Sequence, residues 1–93
     1  MKQVFLRHEG QPCLLLFFAG WGAEEALFDP PTMQGHDCLL CYDYRSPVFD
    51  AAQLAPYAGI RLLAWSMGVR VAADTLSGLS LPWERRLAVG GTM

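Results

Sequence analysis

The sequence predicts an α/β domain built on a mostly parallel sheet, and three observations lead to this prediction. Short apolar runs bounded by turn residues recur along the chain, as in strands that are buried on both faces. Segments with helical spacing alternate with these runs, which is typical of parallel sheets flanked by helices. The 93 residues are 53% hydrophobic and 17% charged with a net charge of −2, which excludes a disordered chain and a basic nucleic-acid-binding domain.

The strands are predicted from the apolar runs and their boundaries. An edge strand is expected over residues 2–8, where polar and apolar residues mix, and the turn over residues 9–12 predicts an antiparallel hairpin with the next run. That run, residues 13–18, is wholly apolar and predicts a central buried strand. Two further buried strands are predicted over residues 37–42 and 60–64, and a last strand over residues 86–89.

Three helical segments are predicted between these strands. Residues 23–28 form a short helix that ends at the two prolines after Asp29, and residues 51–57 are weakly helical because Pro56 interrupts them. Residues 67–77 give the clearest helix, since apolar side chains recur there at helical spacing and Gly78 occupies the position of a C-terminal cap.

The cysteines predict a reducing environment. Cys13, Cys38 and Cys41 are odd in number and lie in apolar runs, which argues against a disulfide framework. Cys38 and Cys41 have C-x-x-C spacing, but strand positions three apart point to opposite faces, so buried thiols are favoured over a metal or redox site. No signal peptide is visible, and no apolar run approaches the ~20 residues of a membrane span. We therefore expect a cytoplasmic protein without a metal or cofactor.

Ser66 is the first candidate for chemistry. It follows a predicted buried strand and precedes a helix, as the nucleophile does in the G-x-S-x-G turn of serine hydrolases, which raises the hydroxyl above the carboxyl edge of the sheet. Ala64 replaces the first glycine of that pattern, and Gly68 provides the second. The alternative is that Ser66 is an ordinary helix N-cap, a position that serine favours.

Gly20-Trp21-Gly22 supports the catalytic interpretation. This segment ends an earlier buried strand, where such hydrolases place one donor of the oxyanion hole. The donors would be the backbone amides of Trp21 and of Met67, the residue after the nucleophile. The alternative for Trp21 is an aromatic side chain that covers the core, and this role is compatible with an amide that points inward.

Four segments together resemble a known family. "LLLFFAGWG", "CYDYR", "IRLLAWSMGVRVA" and "LAVGGT" are similar to BioG-type pimeloyl-ACP methyl ester esterases of biotin synthesis, which are α/β-hydrolases. The resemblance covers essentially the whole chain and departs at Gly90, where Asn is expected. It implies that a serine attacks the methyl ester of pimeloyl-acyl carrier protein and that methanol leaves. Ser66 matches the nucleophile, and Trp21 and Met67 match the oxyanion-hole amides.

The acid and base of a catalytic triad are not found after Ser66. In this fold they follow the serine, but the later sequence holds no histidine, and Asp74 and Glu84 are poorly placed. His8 and His36 are expected as surface or loop residues away from the carboxyl edge, whereas Asp43 is expected near it. Residues 1–93 are therefore interpreted as the N-terminal portion of a single α/β-hydrolase domain, and we expect the isolated chain to have little esterase activity.

An acidic acyl carrier protein would require basic side chains near the site. Arg45 and Arg70 are the candidates, with solvated surface arginines as the alternative. Two other functions stay open at this point: a non-catalytic half-fold that binds another protein, and a different serine esterase or thioesterase. Self-association through an exposed sheet edge beyond Val89 is also expected to be possible.

Overall fold

The computed structural model describes residues 1–20, 34–45 and 48–89, which form a mixed five-stranded sheet with one α-helix. The strands are β1 (Lys2–Arg7), β2 (Cys13–Phe18), β3 (His36–Tyr42), β4 (Gly59–Trp65) and β5 (Trp83–Val89), and helix α1 is Met67–Leu76. The sheet order is β1-β3-β2-β4-β5, and all neighbouring pairs are parallel except β1 with β3. The predicted α/β class and the central position of β2 are confirmed.

The predicted N-terminal hairpin is wrong. Strand β1 is antiparallel, as expected, but it pairs with β3, and β2 lies between β3 and β4. The physical reason is burial: all of β2 after Cys13 is buried, so it needs a partner on each edge, whereas the half-buried β1 tolerates an open edge. The chain after β1 therefore crosses the amino end of β3 before it enters β2.

Two apolar clusters cover the two faces of the sheet. One includes Leu14, Leu16 and Phe18 with Ala72 and Leu76 of α1, and the other includes Leu15 and Phe17 with residues of β3. Cys41 belongs to the first cluster and Cys38 to the second, so the prediction that these thiols face opposite sides is confirmed. Burial raises the pKa of Cys38 to about 11 and that of Cys41 to about 12, which keeps both thiols protonated.

The remaining elements follow the predicted order with shifted boundaries. A short 3₁₀ helix spans Ala51–Leu54 and ends before Pro56, and Gly78 has the positive φ of 84° expected of a C-terminal cap. Strand β5 begins at Trp83, three residues earlier than predicted, and thus includes Glu84. The predicted helix over residues 23–28 and the residues Trp21 and Gly90 lie outside the described residues. Within the described part of the chain, no helix has the length and apolar character required to cross a membrane.

Candidate functional site

Ser66 occupies a strained turn at the carboxyl edge of the sheet. It links the end of β4 to the start of α1 with φ 56° and ψ −130°, a conformation that L-residues rarely adopt and that costs about 1–3 kcal/mol. An N-cap residue usually has extended backbone and a side chain bonded to the first helical amides. Ser66 has neither, since its backbone angles differ and its side chain makes no capping hydrogen bond. The N-cap alternative is therefore not supported, and the hydroxyl is exposed.

Gly68 allows the first turn of α1 to approach the end of β2. A Cβ atom at this position would lie 2.6 Å from the carbonyl oxygen of Ala19 and would also overlap the carbonyl oxygen of Phe18. These are backbone atoms at the end of a central strand, so they cannot move aside without disturbing the sheet. The sequence interpretation, in which a small residue after the serine permits close passage of strand and helix, is confirmed.

The end of β2 passes directly beside the serine. A Cβ atom on Gly20 would lie 3.2 Å from Cβ of Ser66 and 3.3 Å from Cδ1 of Trp65. The next residue, Trp21, is outside the described residues, so the direction of its amide stays a prediction. Met67 is the first residue of α1, and the first amides of a helix have no acceptor within the helix. Its N–H is thus of the kind that an oxyanion hole uses.

Tyr44 fixes the backbone at the end of β2, which passes beside the Ser66 turn. Its hydroxyl donates to the carbonyl oxygen of Ala19 at 2.6 Å and lies 3.1 Å from that of Cys41, so it joins the carboxyl ends of β2 and β3. Burial raises the pKa of Tyr44, which keeps the hydroxyl a donor. Sequence reasoning included Tyr44 in the "CYDYR" segment but assigned it no role. One feature of the sequence could have indicated this role: a tyrosine that closely follows a buried strand can reach the carbonyl groups at the ends of neighbouring strands with its hydroxyl.

Asp43 lies at the carboxyl edge, as predicted, and its carboxylate binds neighbouring cations. Arg45 donates from Nε to Oδ1 at 2.6 Å and from a terminal nitrogen to Oδ2 at 2.5 Å, while Nζ of Lys2 lies 3.7 Å from Oδ2. The hydrogen bonds from Arg45 lower the pKa of Asp43 to about 2. Asp43 itself has a positive φ of 57°. The carboxylate of Asp43 is thus paired with the guanidinium of Arg45. Among the described residues, no histidine contacts this carboxylate.

The two arginines proposed to bind a partner are on the surface and are paired within the chain. The side chain of Arg45 is 79% exposed while it binds Asp43, and Arg70 lies 3.2 Å from Asp74 one helical turn later. The Arg70–Asp74 pair is exposed on both sides and contributes little to stability, whereas the Asp43 side chain in the other pair is only 17% exposed. Both side chains lie on the surface, in agreement with the alternative that they are solvated surface arginines. Their role in partner binding stays a prediction.

Both histidines lie at the opposite, amino edge of the sheet. His36 begins β3 and is in register with Cys13 at the start of β2, and His8 follows Arg7, which pairs with Cys38. Neither is therefore placed to activate Ser66, as predicted. The expectation that both are surface or loop residues is wrong for His36, which is buried at the start of β3. Oε1 of Glu84 on β5 lies 3.0 Å from its Nε2. His8 is exposed and stacks on Phe5.

Comparison with known families identifies the chain. The family model described as pimeloyl-ACP methyl esterase BioG matches residues 1–93. The chain belongs to the BioG family. The resemblance stated from the sequence is thereby confirmed. A crystal structure of BioG from Haemophilus influenzae superposes on this BioG-family chain with a TM-score of 0.78 at 42% identity, covering 99% of this chain and 42% of that one.

Two curated relatives differ in length and in name. A Haemophilus influenzae protein named only as uncharacterized is 43% identical over 93 residues, which is 99% of this chain and 41% of the relative. A Bacteroides fragilis protein named malonyl-[acyl-carrier protein] O-methyltransferase is 46% identical over 78 residues, 84% of this chain and 16% of the relative. The BioG-family chain thus spans less than half the length of the curated relatives it matches.

Proposed function

We propose that this BioG-family chain carries the nucleophile of a serine carboxylesterase that hydrolyses pimeloyl-ACP methyl ester to pimeloyl-ACP and methanol in biotin synthesis. The single observation that carries the proposal is the strained turn at Ser66, whose hydroxyl is exposed beside Gly20 and Gly68. Strained backbone conformations cluster at functional sites. The arrangement of β4, Ser66 and α1 agrees with the nucleophile turn of α/β-hydrolases.

The proposed reaction proceeds in two steps. Oγ of Ser66 attacks the ester carbonyl carbon while a base removes its proton, and the amides of Met67 and Trp21 bind the resulting oxyanion. The tetrahedral intermediate then expels the methoxy group, which takes up the proton and leaves as methanol. Water next attacks the acyl-serine ester, which returns the hydroxyl to Ser66 and releases pimeloyl-ACP as the free acid. No cofactor is required for either step.

The base and the acid of this mechanism would come from another part of the α/β-hydrolase domain. His8 and His36 lie at the amino edge, and Asp43 is bound to Arg45. In our proposal residues 1–93 form the N-terminal portion of the domain, and the triad partners lie in the part that corresponds to the remaining length of the relatives. The free cysteines agree with a reaction in the reducing cytoplasm.

An acyl carrier protein is the proposed partner. One relative is named for an acyl-carrier-protein substrate, although the match spans only 16% of that protein and its transferase activity is not assigned to this chain. Arg45 and Arg70, both exposed, would attract the acidic carrier towards the carboxyl edge. For Arg70, whose partner Asp74 is also exposed, exchange of the intramolecular carboxylate for one of the carrier would involve little loss of stability.

The test compares the chain alone with the complete reading frame that contains it. In the complete protein, Ser66→Ala should abolish hydrolysis of pimeloyl-ACP methyl ester and complementation of a biotin auxotroph that lacks the esterase. Ser77→Ala, an exposed serine at the other end of α1, is the matched control and should retain both. Full activity of the Ser66→Ala protein would disprove the proposal. Ser66-dependent turnover by the isolated chain would show that its own residues supply the base.

The same assay separates the alternative functions. A thioesterase would cleave the pantetheine thioester instead of the methyl ester, and a general carboxylesterase would hydrolyse short p-nitrophenyl esters as fast as the carrier-bound substrate. A non-catalytic half-fold would form a stable complex through β5, which is one of the two edge strands of the described sheet and leaves Leu87 47% exposed. Such a protein would show no acyl-serine adduct by mass spectrometry.

A further inference from the structure

A second cluster of reactive side chains lies at the amino edge of the sheet, opposite Ser66. Sγ of Cys13, the ring nitrogen Nε2 of His36 and a carboxylate oxygen of Glu84 all lie within 4.8 Å of one another. They come from the starts of β2, β3 and β5, which are far apart in the sequence. We propose that these three side chains form a zinc-binding site that connects the amino ends of the three strands.

The surroundings of His36 match those of a metal ligand. Nδ1 lies 3.1 Å from the carbonyl oxygen of Gln34, and Nε2 lies 3.0 Å from Oε1 of Glu84, so both ring nitrogens face oxygen atoms. A neutral imidazole has only one N–H and cannot donate to both. In metal sites the nitrogen away from the ion donates to a carbonyl or carboxylate, and this bond leaves the lone pair of the other nitrogen free to bind the ion. The carbonyl of Gln34 is placed for that role.

Local backbone features direct Glu84 towards the other two ligands. Ile60 and Arg61 of β4 pair with Trp83 and Arg85, so β5 has one extra residue at this point, and that residue is Glu84. Such a β-bulge redirects a side chain and is common beside functional sites. Gly59 provides the space, because a Cβ atom there would lie 2.8 Å from Cδ of Glu84. Two independent features of the strands thus place this carboxylate.

The set of donor atoms fits zinc. Thiolate, imidazole and carboxylate are the three ligand types that zinc takes in proteins, at about 2.0–2.3 Å each. Sγ of Cys13 lies 3.8 Å from Oε2 of Glu84, and the imidazole lies 3.0 Å from Oε1, so small side-chain rotations allow one ion to contact all three. On binding, the Cys13 thiol releases its proton and binds as the thiolate. A water molecule would complete the tetrahedral coordination.

Arg61 is the competitor for this site. Its Nε lies 3.5 Å from Oε1 of Glu84, and it has no hydrogen-bond partner among the described residues. The side chain is 40% exposed, so it can turn towards solvent when a cation replaces it beside the carboxylate. Without metal, Arg61 is the cation beside the carboxylate of Glu84, and the His36 ring lies against the same oxygen. With zinc bound, the ion takes the place of Arg61 as the positive partner.

The test is titration of the purified complete protein, which contains residues 1–93, with Co²⁺ and Zn²⁺. Cobalt should produce a thiolate-to-metal charge-transfer band, and zinc should displace it and raise the melting temperature. Cys13→Ser should remove the band, while His36→Gln and Glu84→Gln should weaken zinc affinity by at least about tenfold, the lower range for disturbed metal sites. Arg61→Gln should strengthen it, because a competing cation is removed.

His8→Gln and Glu9→Gln are the matched controls, since both residues lie outside the cluster and should leave affinity unchanged. The proposal is overturned if no cobalt–thiolate band forms, or if the control variants lose as much affinity as the ligand variants. A melting temperature of the complete protein that does not rise in saturating zinc also counts against it, because an ion that joins three strands must stabilise the fold. None of these outcomes depends on esterase activity, so the result is independent of the function proposed for Ser66.

Discussion

The polar groups at the two edges of the sheet differ in burial and in hydrogen bonding. At the carboxyl edge, Ser66 has strained backbone angles and an exposed hydroxyl without a capping role. At the amino edge, the carboxylate of Asp37 is fully buried and accepts from the backbone amides of Glu9 and Gly10 and from the hydroxyl of Tyr57 at 2.7 Å. The difference separates roles: a buried polar group with several hydrogen-bond donors anchors the fold, whereas a strained, exposed serine without a capping hydrogen bond is available for chemistry.

Asp37 explains how the chain crosses the sheet. Burial acts to raise its pKa, but the hydrogen bonds from Glu9, Tyr57 and Gly10 outweigh it and hold the pKa below the usual value, so Asp37 is charged. Glu9 and Gly10 belong to the connection between β1 and β2. The carboxylate therefore holds that connection across the start of β3 and determines which strand β1 can pair with.

The largest effect is expected at this anchor. Asp37→Ala should destabilise the chain by roughly 4 kcal/mol, because three donors lose a charged acceptor and the hydroxyl of the buried Tyr57 is left without it. Urea unfolding followed by circular dichroism measures the change. Asp50→Ala is the matched control, since the carboxylate of the exposed Asp50 accepts only from the amide of Ala52 among the described residues, and its loss should cost about 1 kcal/mol. Equal losses in the two variants would remove the distinction between the edges.

A smaller loss is expected at the carboxyl edge from a single added methyl group. Gly68→Ala should cost about 3 kcal/mol, at the upper end for overpacking, because the new Cβ overlaps backbone carbonyls at the end of β2. Gly78→Ala tests the cost of the backbone conformation without a steric overlap. The φ angle of Gly78 is 84°, and a Cβ atom added there would have no described atom within 4 Å outside its chain neighbours. This substitution should cost about 1 kcal/mol. A Gly68→Ala chain as stable as Gly78→Ala would show that α1 can move away from the sheet.

Replacement of the serine should separate stability from function. Ser66→Gly should stabilise the chain by about 1–2 kcal/mol, because glycine adopts positive φ without the penalty of a Cβ atom. Ser66→Ala keeps the Cβ and removes a hydroxyl without a capping bond, so its stability should not change measurably. Thermal unfolding of both variants provides the comparison. A substantial destabilisation by Ser66→Ala would assign the hydroxyl a structural role and revive the N-cap interpretation.

The smallest effect concerns the link between β2 and β3. Tyr44→Phe should cost about 1 kcal/mol, the typical net value of a neutral hydrogen bond, because the carbonyl of Ala19 loses its donor. If Tyr44 positions the backbone beside Ser66, the complete protein should lose kcat on pimeloyl-ACP methyl ester with little change in KM. Tyr42→Phe, in β3, is the control. Unchanged kcat in the Tyr44→Phe protein would limit Tyr44 to a role in stability.

Local patterns predicted much of the fold, but not which strands are neighbours. The apolar run of β2, the spacing in α1 and the glycine after Ser66 are properties of short segments, and each led to a correct element or contact. The hairpin was wrong because strand pairing depends on contacts between distant segments: β2 is buried between β3 and β4, and Asp37 of β3 binds the amides of Glu9 and Gly10. A charged residue at the start of an apolar strand does not reveal that it will be buried.

The same limit applies to the sites. The strand–serine–helix order identified the turn at Ser66, since all of its parts are adjacent in the sequence. The contact between His36 and Glu84 joins residues 48 positions apart, and it also requires a bulge that no local pattern indicates. Tyr44 was missed because its acceptor, the carbonyl of Ala19, lies 25 residues away on another strand.

The order of the strands also affects how the protein is synthesised. The most apolar strand, β2, leaves the ribosome before both of its neighbours, β3 and β4, which end at Tyr42 and Trp65. At typical translation rates of about 5–20 residues per second, the segment from Phe18 to Trp65 takes roughly 2–10 s to appear. During that time the central strand has no complete pair of partners, and its apolar side chains are open to aggregation or to chaperones. The strand that stabilises the finished sheet is therefore the one that the nascent chain must protect longest.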